Sequence, residues 1–140
     1  MKSNVRVHEL MTRSVRTLGR NEKLSAADSL MRTERIRHLP VVDEEGLVVG
    51  IVSQRDLFFS ALVQALGFGS ASHDRMLSTI LVKEVMTENV VTTTPETMVT
   101  AAARVMVDRK IGCLPVIEGD TLTGILSESD IVSDVAKGVL

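Results

Sequence analysis

Gly50-Ile51-Val52-Ser53-Gln54-Arg55-Asp56 returns as Gly124-Ile125-Leu126-Ser127-Glu128-Ser129-Asp130, and the chain around each copy repeats with it. Upstream, Leu39-Pro40-Val41 recurs as Leu114-Pro115-Val116, and Met11-Thr12 as Met86-Thr87. At a shift of 75 residues thirteen positions are identical: Val7, Glu9, Met11, Thr12, Val15, Thr17, Ala26, Ala27, Met31, Ile36, Leu39, Pro40 and Val41. Beyond Val42 the second copy is one residue shorter, and at a shift of 74 Gly50, Ile51, Ser53 and Asp56 match again. The slip lies between Asp43 and Val49, where the pattern places a hairpin tip. A one-residue loss at a turn, with register kept on both sides, marks two copies of one folded unit.

The chain has 140 residues, 44% of them hydrophobic, which is enough to bury a core. Each copy spans only about fifty residues, a size that is marginal alone, so two halves sharing a core are expected. The formal net charge of −2 comes with no run of like charges, which argues against a nucleic-acid tail or a membrane patch. No apolar stretch is long enough to cross a bilayer, and the start of the chain lacks the basic, apolar and small-residue order of a secretion leader, so a cytoplasmic location is expected. The single cysteine, Cys113, excludes an intrachain disulfide and fits a reducing compartment. His8, His38, His73 and Cys113 share no ligand spacing, so no metal site is expected.

Within each copy the periodicity changes in a fixed order. Leu24, Ala27, Leu30 and Met31 recur at helical spacing, as do Val99, Ala102, Val105 and Met106, so each set predicts an amphipathic helix. Thr94-Pro95-Glu96 reads as the N-cap, first position and acidic first turn of the second of these helices; Asn21 is the weaker counterpart in the first. Leu39 to Val42 and Leu47 to Val52 predict two short strands around the Asp43-Glu44-Glu45-Gly46 turn, repeated as Leu114 to Ile117 and Leu122 to Leu126 around Glu118-Gly119-Asp120. A further short strand is expected at Val15 to Leu18 and at Val90 to Thr93. After Ser53 a helix runs through Leu57, Phe58, Ala61, Leu62 and Ala65 to a cap at Gly67, and the second copy closes through Ile131 to Val135. The expected domains are repeat one over residues 1–66, a linker with an extra helical segment over 67–81, and repeat two over 82–140. Phe58 to Leu81 has no partner in the second copy and holds all three phenylalanines. It reads either as a linker covering its own core or as a surface that meets another subunit.

This combination resembles a tandem pair of cystathionine-beta-synthase (CBS) domains, the Bateman module, over residues 7–57 and 82–132. The resemblance rests on Val7-His8-Glu9-Leu10-Met11-Thr12 with Val82-Lys83-Glu84-Val85-Met86-Thr87, on Ile-x-x-Leu-Pro-Val from Ile36 and Ile111, and on Gly-Ile-x-Ser-x-x-Asp from Gly50 and Gly124. It implies an α+β (α/β sandwich) fold of two pseudo-twofold-related strand-helix-strand-strand-helix repeats, with clefts that bind adenine nucleotides such as AMP, ADP or ATP, or related adenosyl compounds. Carried over, Asp56 and Asp130 bond ribose hydroxyls, and Ser53 and Ser127 contact phosphate or ribose. Val15 to Thr17 and Val90 to Thr92 wall the base pocket, with Ile36, Arg37 and His38 before Pro40 and with Ile111, Gly112 and Cys113 before Pro115. The resemblance further implies a homodimer.

The residue types fit that chemistry, because a carboxylate accepts from two vicinal hydroxyls and a serine at a helix start stands beside exposed amides that attract phosphate. Ser-x-x-Asp ahead of an apolar helix is equally a capping box, and both roles stay open. Arg37, His38 and Arg55 become Gly112, Cys113 and Ser129, and Arg32 becomes Val107, so the first copy meets phosphate charge better unless these arginines are solvated surface. Cys113 reads by default as a small buried apolar residue and the seven methionines as core filling.

Two function classes follow. One is a non-catalytic regulatory module that binds an adenosyl ligand and signals through its dimer geometry or a regulated protein in trans. The alternative is a ligand-free interaction or dimerisation module whose serines are only caps. No repeated serine has a histidine and an acid beside it and no glycine-rich phosphate loop is present, so neither an enzyme nor a catalytic cofactor is expected. Net acidity and the lack of tryptophan and tyrosine argue against nucleic acid.

Overall fold

The computed structural model describes residues 4–58, 62 and 77–138. The chain divides into two compact units, the first formed by Arg16–Val90 and the second by Met1–Val15 with Val91–Leu140. Each unit thus takes the leading segment of one repeat and the strands and helices of the other. The units follow the twofold repeat of the sequence, but they are not simply the two repeats.

In the first unit β1 (Leu18–Gly19) precedes α2 (Leu24–Glu34), and β2 (His38–Val42) and β3 (Val48–Ser53) follow. β1 pairs with β2 in parallel and β2 with β3 antiparallel, His38 facing Ser53 and Val41 facing Gly50. Beyond β3, Ile51 bridges to Thr87 of the second repeat's leading segment. A 3₁₀ turn, Val82–Glu84, lies in that segment. The second unit repeats the plan. α1 (Val7–Leu10) is its leading segment, α3 (Val99–Arg109) its packing helix, β4 (Cys113–Glu118) and β5 (Thr121–Ser127) its hairpin, and α4 (Glu128–Ala136) its closing helix. Thr93 bridges to Val116 in parallel on one side, and Thr12 bridges to Ile125 on the other.

Two cores result. The first gathers Leu24, Ala27 and Met31 of α2, Leu39, Val41 and Val52 of the hairpin, and Leu77, Ile80 and Val82 from beyond the repeat's own strands. The second gathers Val99, Ala102 and Met106 of α3, Leu114, Val116 and Leu126, and Val5, Val7, Leu10 and Met11 from the start of the chain. Both repeats therefore contribute to each core, which is how halves of marginal size reach sufficient apolar burial.

Glycine makes the exchange possible. A Cβ on Gly50 would stand 2.5 Å from Met86 Sδ, and one on Gly124 would stand 2.6 Å from Met11 Sδ and 3.0 Å from the Thr12 carbonyl oxygen. Only a residue without a side chain lets the methionine of the leading segment lie against the strand.

The helix starts differ from expectation. α3 begins at Val99 after Met98, not at Pro95 after Thr94, and α2 begins at Leu24 after Lys23, not after Asn21. The reason is that the first helical amides donate to the exchanged backbone, Leu24 to the Ile80 carbonyl at 2.7 Å and Val99 to the Val5 carbonyl at 2.8 Å. A remote carbonyl does the work a capping side chain does elsewhere. Thr94 instead closes a turn, accepting the Thr97 amide on its carbonyl, while the Pro95 carbonyl accepts from His8. The strand expected over Val15 to Leu18 is confined to Leu18–Gly19, and that over Val90 to Thr93 to the single Thr93 bridge. The one-residue slip falls at the hairpin tip, where Asp43 Oδ1 accepts the Glu45 and Leu47 amides and Gly46 has φ 84°, against the shorter turn at Gly119, φ 64°. Residues 54–58 are helical, with Leu57 buried. Of the unmatched segment, Leu77 and Ile80 enter the first core while Phe58 and Leu62 are exposed. Phe59, Ala61, Ala65, Gly67 and Phe68, on which parts of that expectation fall, lie outside the described residues.

Gly124→Ala should lower the urea-unfolding free energy by about 1–3 kcal/mol through overpacking, with a smaller cost when Met11 is also alanine. Arg35 and Lys110 end their helices at φ 55° and 56°, in the left-handed region. Lys110→Gly should raise stability by about 0.5–1 kcal/mol, read from the same titration, because the left-handed penalty outweighs the added freedom of glycine.

Candidate functional site

Each hairpin brings the residues before Leu-Pro beside Ser-x-x-Asp. In the first unit His38 faces Ser53 across the strand pair, and the Gln54 amide donates to the Arg37 carbonyl at 2.8 Å. In the second unit Cys113 faces Ser127, and the Glu128 amide donates to the Gly112 carbonyl at 3.0 Å. Ile36 and Ile111 pack on their respective cores immediately before these strands.

Ser and Asp form the same reciprocal box in both units. The Ser53 amide donates to Asp56 Oδ2 at 2.9 Å and the Asp56 amide to Ser53 Oγ at 3.2 Å. The corresponding bonds from Ser127 and Asp130 are 2.9 and 3.3 Å. The capping reading thus holds in both copies. It leaves a half-buried carboxylate and hydroxyl at each helix start, beside the backbone that turns from strand into helix.

The two constellations differ in what surrounds the box. In the second, Ser127 Oγ donates to Asp130 Oδ2 at 3.1 Å and stands 2.9 Å from Ser129 Oγ, and Thr12 Oγ1 donates to Asp130 Oδ1 at 3.1 Å. In the first, among the described residues, Asp56 accepts the Ser53 amide alone. Arg37 and Arg55 are exposed, and among the described residues neither has a carboxylate partner. Arg32 is paired with Asp28 at 3.2 Å.

The remaining predicted residues are spread more widely. Val15 closes the second unit's leading segment and Thr17 stands exposed just before β1. Val90 ends the first unit and Thr92 stands exposed one residue before the Thr93 bridge. Pro40 and Pro115 are buried mid-strand, opposite Ile51 and Ile125. Thr12 and Ser129 were not among the predicted site residues. The recurrence of Met-Thr at 11–12 and 86–87 is the signal the sequence offers for Thr12, and by itself it marks only the repeat.

Cys113 is buried, and burial, helped by the nearby charge of Glu128, pushes its thiol up to about 12.

A model of the CBS domain matches residues 7–62 and again residues 82–137. The chain belongs to the CBS domain family. It is a tandem CBS pair. The pair is 36% identical to the AcuB protein of Vibrio cholerae, whose structure it matches with a TM-score of 0.77 over 96% of this chain and 93% of that one. It is 25% identical to the CBS domain pair of protein MJ0100, solved with 5′-methylthioadenosine and S-adenosyl-L-methionine, with a TM-score of 0.78 over 96% of this chain and 98% of that one. An uncharacterized protein of Methanocaldococcus jannaschii is 32% identical over 98% of the chain, which spans only 34% of that longer protein. Some relatives are longer still, and the chain spans 23% of a homoserine O-acetyltransferase from Methanococcoides burtonii, whereas it spans 92% of a CBS domain-containing protein from Dictyostelium discoideum to which it is 30% identical. Among the described residues no helix of the pair is long and apolar enough to cross a membrane.

The buried thiol gives a direct check. In the folded protein Cys113 should stay unreactive toward a maleimide at neutral pH and become reactive in denaturant. Its raised native value also predicts stability that is full below about pH 9, the ordinary thiol range, and falls as pH rises toward about 12, because the unfolded chain ionises first. Urea midpoints of Cys113→Ala should fall less over that window.

Proposed function

We propose that the pair is a non-catalytic regulatory module that takes an adenosyl ligand at the Ser-x-x-Asp constellations. The observation that carries this reading is that both units bring the same elements to one place: a carboxylate and a hydroxyl at a helix start, beside the strand entry at 36–38 or 111–113. Asp56 and Asp130 accept ribose hydroxyls. Ser53 and Ser127, with the adjacent backbone amides, meet phosphate or ribose. Val15, Thr17, Val90, Thr92, Ile36, Ile111, Gly112 and Cys113 wall the base, and Pro40 and Pro115 hold the strand entries in shape. Likeness to a CBS pair that holds 5′-methylthioadenosine and S-adenosyl-L-methionine supports an adenosyl ligand.

Charge favours the first constellation for a phosphorylated ligand. It has Arg37, His38 and Arg55 where the second has Gly112, Cys113 and Ser129, and Gln54 where the second has Glu128. Arginine binds phosphate through paired donors, and a glutamate at the same place repels it. AMP, ADP or ATP therefore belongs with the first constellation.

A regulatory ligand must bind two states of the protein unequally, since equal binding shifts nothing. The output is a change in homodimer geometry or in the grip on a regulated protein in the cytoplasm. Exposed Phe58 and Leu62 in the first unit, and Val132 and Val135 in the second, offer apolar surface for such contacts.

Dye-reported thermal unfolding in the presence of AMP, ADP, ATP, S-adenosyl-L-methionine and NADH tests the reading. A ligand at a hundredfold excess over its dissociation constant should add about 2.7 kcal/mol, a rise of several degrees, and Asp56→Ala should remove most of the rise for a nucleotide. No rise with any of the five, confirmed by calorimetric titration, would leave a ligand-free interaction module in its place.

A further inference from the structure

We infer that Thr12 acts as a latch on Asp130 and sets the affinity of the second constellation for a ligand diol, an inference that rests on the function proposed above. A carboxylate has about four lone-pair sites. At Asp130 three are taken: Oδ2 receives the Ser127 amide and the Ser127 hydroxyl, and Oδ1 receives the Thr12 hydroxyl. Ser129 strengthens this arrangement, because its hydroxyl, as donor to Ser127 Oγ at 2.9 Å, leaves the Ser127 proton for Asp130. One acceptor site is left. Two vicinal hydroxyls need two.

Asp56 is arranged differently. Among the described residues it accepts only the Ser53 amide, and the place of Ser129 is held by Arg55, which has no hydroxyl to relay. Thr87, the counterpart of Thr12, has its backbone paired with Ile51 just as Thr12 has with Ile125, yet no side-chain bond joins it to Asp56 among the described residues. The same backbone frame thus carries a carboxylate latched by Thr12 in one unit and, among the described residues, one without such a latch in the other. Asp56 receives both hydroxyls of a ribose directly, whereas Asp130 does so only after Thr12 Oγ1 turns away.

Turning it away is local. Thr12 is exposed, and its backbone bonds to Ile125, both 2.9 Å, do not involve the hydroxyl. The cost is one charge-assisted hydrogen bond, and its removal should tighten binding at Asp130 about five- to tenfold.

The test is isothermal titration of AMP and of S-adenosyl-L-methionine into five proteins: wild type, Asp56→Ala, and Asp56→Ala combined in turn with Thr12→Val, Thr12→Ser and Thr87→Val. Asp56→Ala isolates the Asp130 constellation. The latch predicts binding about five- to tenfold tighter when Thr12→Val is added, no tightening with Thr87→Val, and no tightening with Thr12→Ser, which keeps the hydroxyl. Near-wild-type urea midpoints for the Thr12 variants would show that the fold is intact, and a Thr12→Val protein that failed this check would be replaced by Thr12→Ala. If wild type binds either probe but Thr12→Val leaves the Asp130 constellation unchanged or weaker, the latch is wrong while the proposed function stands. If no protein in the set takes up either probe, both are overturned.

Discussion

The contact between a strand glycine and a methionine from the other repeat's leading segment is the constraint on which the structure depends. Gly50 admits Met86 and Gly124 admits Met11 at separations that a Cβ would forbid. Once the methionine lies there, the residue after it pairs with the strand: Thr87 with Ile51 and Thr12 with Ile125. A few residues away the same segments supply the carbonyls of Ile80 and Val5 to the first amides of α2 and α3. A single close approach therefore fixes the strand edge, the helix start and the filling of each core. It also explains why neither repeat fills its core by itself, since Val82 belongs to the first core and Val7 to the second.

The same frame positions the chemistry. The hairpin that carries the glycine ends in Ser-x-x-Asp, so the backbone that receives the leading segment also delivers the carboxylate. Capping and ligand contact are not rival roles in this arrangement: the serine and aspartate satisfy each other's amides and still leave oxygens for a ligand. Differences between the copies then act as tuning on a common plan. Arginines and Gln54 surround one carboxylate, while Glu128, Ser129 and Thr12 surround the other. Duplication followed by such divergence yields two constellations with unlike surroundings from one backbone design.

Much of this was legible in the sequence, for reasons that can be traced. The helical spacing of Leu24, Ala27 and Met31, and of Val99, Ala102 and Met106, depends on local burial alone, and these are the residues the helices bury. The hairpins were visible because apolar runs flank a polar, glycine-containing turn, and the slip in the repeat had nowhere else to go. The helix starts were misplaced because side-chain caps at Thr94 and Asn21 are local signals, whereas the actual caps are carbonyls brought from a distant part of the chain. The extra strands shrank for a related reason: Val15 and Val90 lie where the chain passes from one compact unit to the other, so few residues remain to pair. The role of Thr12 is not legible in the sequence because its partner, Asp130, is remote along the chain and the identical Met-Thr at Met86-Thr87 makes no matching bond among the described residues.

The central claim is that each compact unit is completed by the other repeat's leading segment, and amide hydrogen exchange read by NMR tests it most directly. The amides of Thr12 and Ile125, and of Thr87 and Ile51, each donate across the junction between leading segment and hairpin. The account predicts that all four exchange as slowly as amides in the middle of β2 and β4, opening only with the unit as a whole. Rapid exchange at Thr12 and Thr87, while the hairpin interiors stay protected, would show that the leading segments are loosely attached and would contradict it.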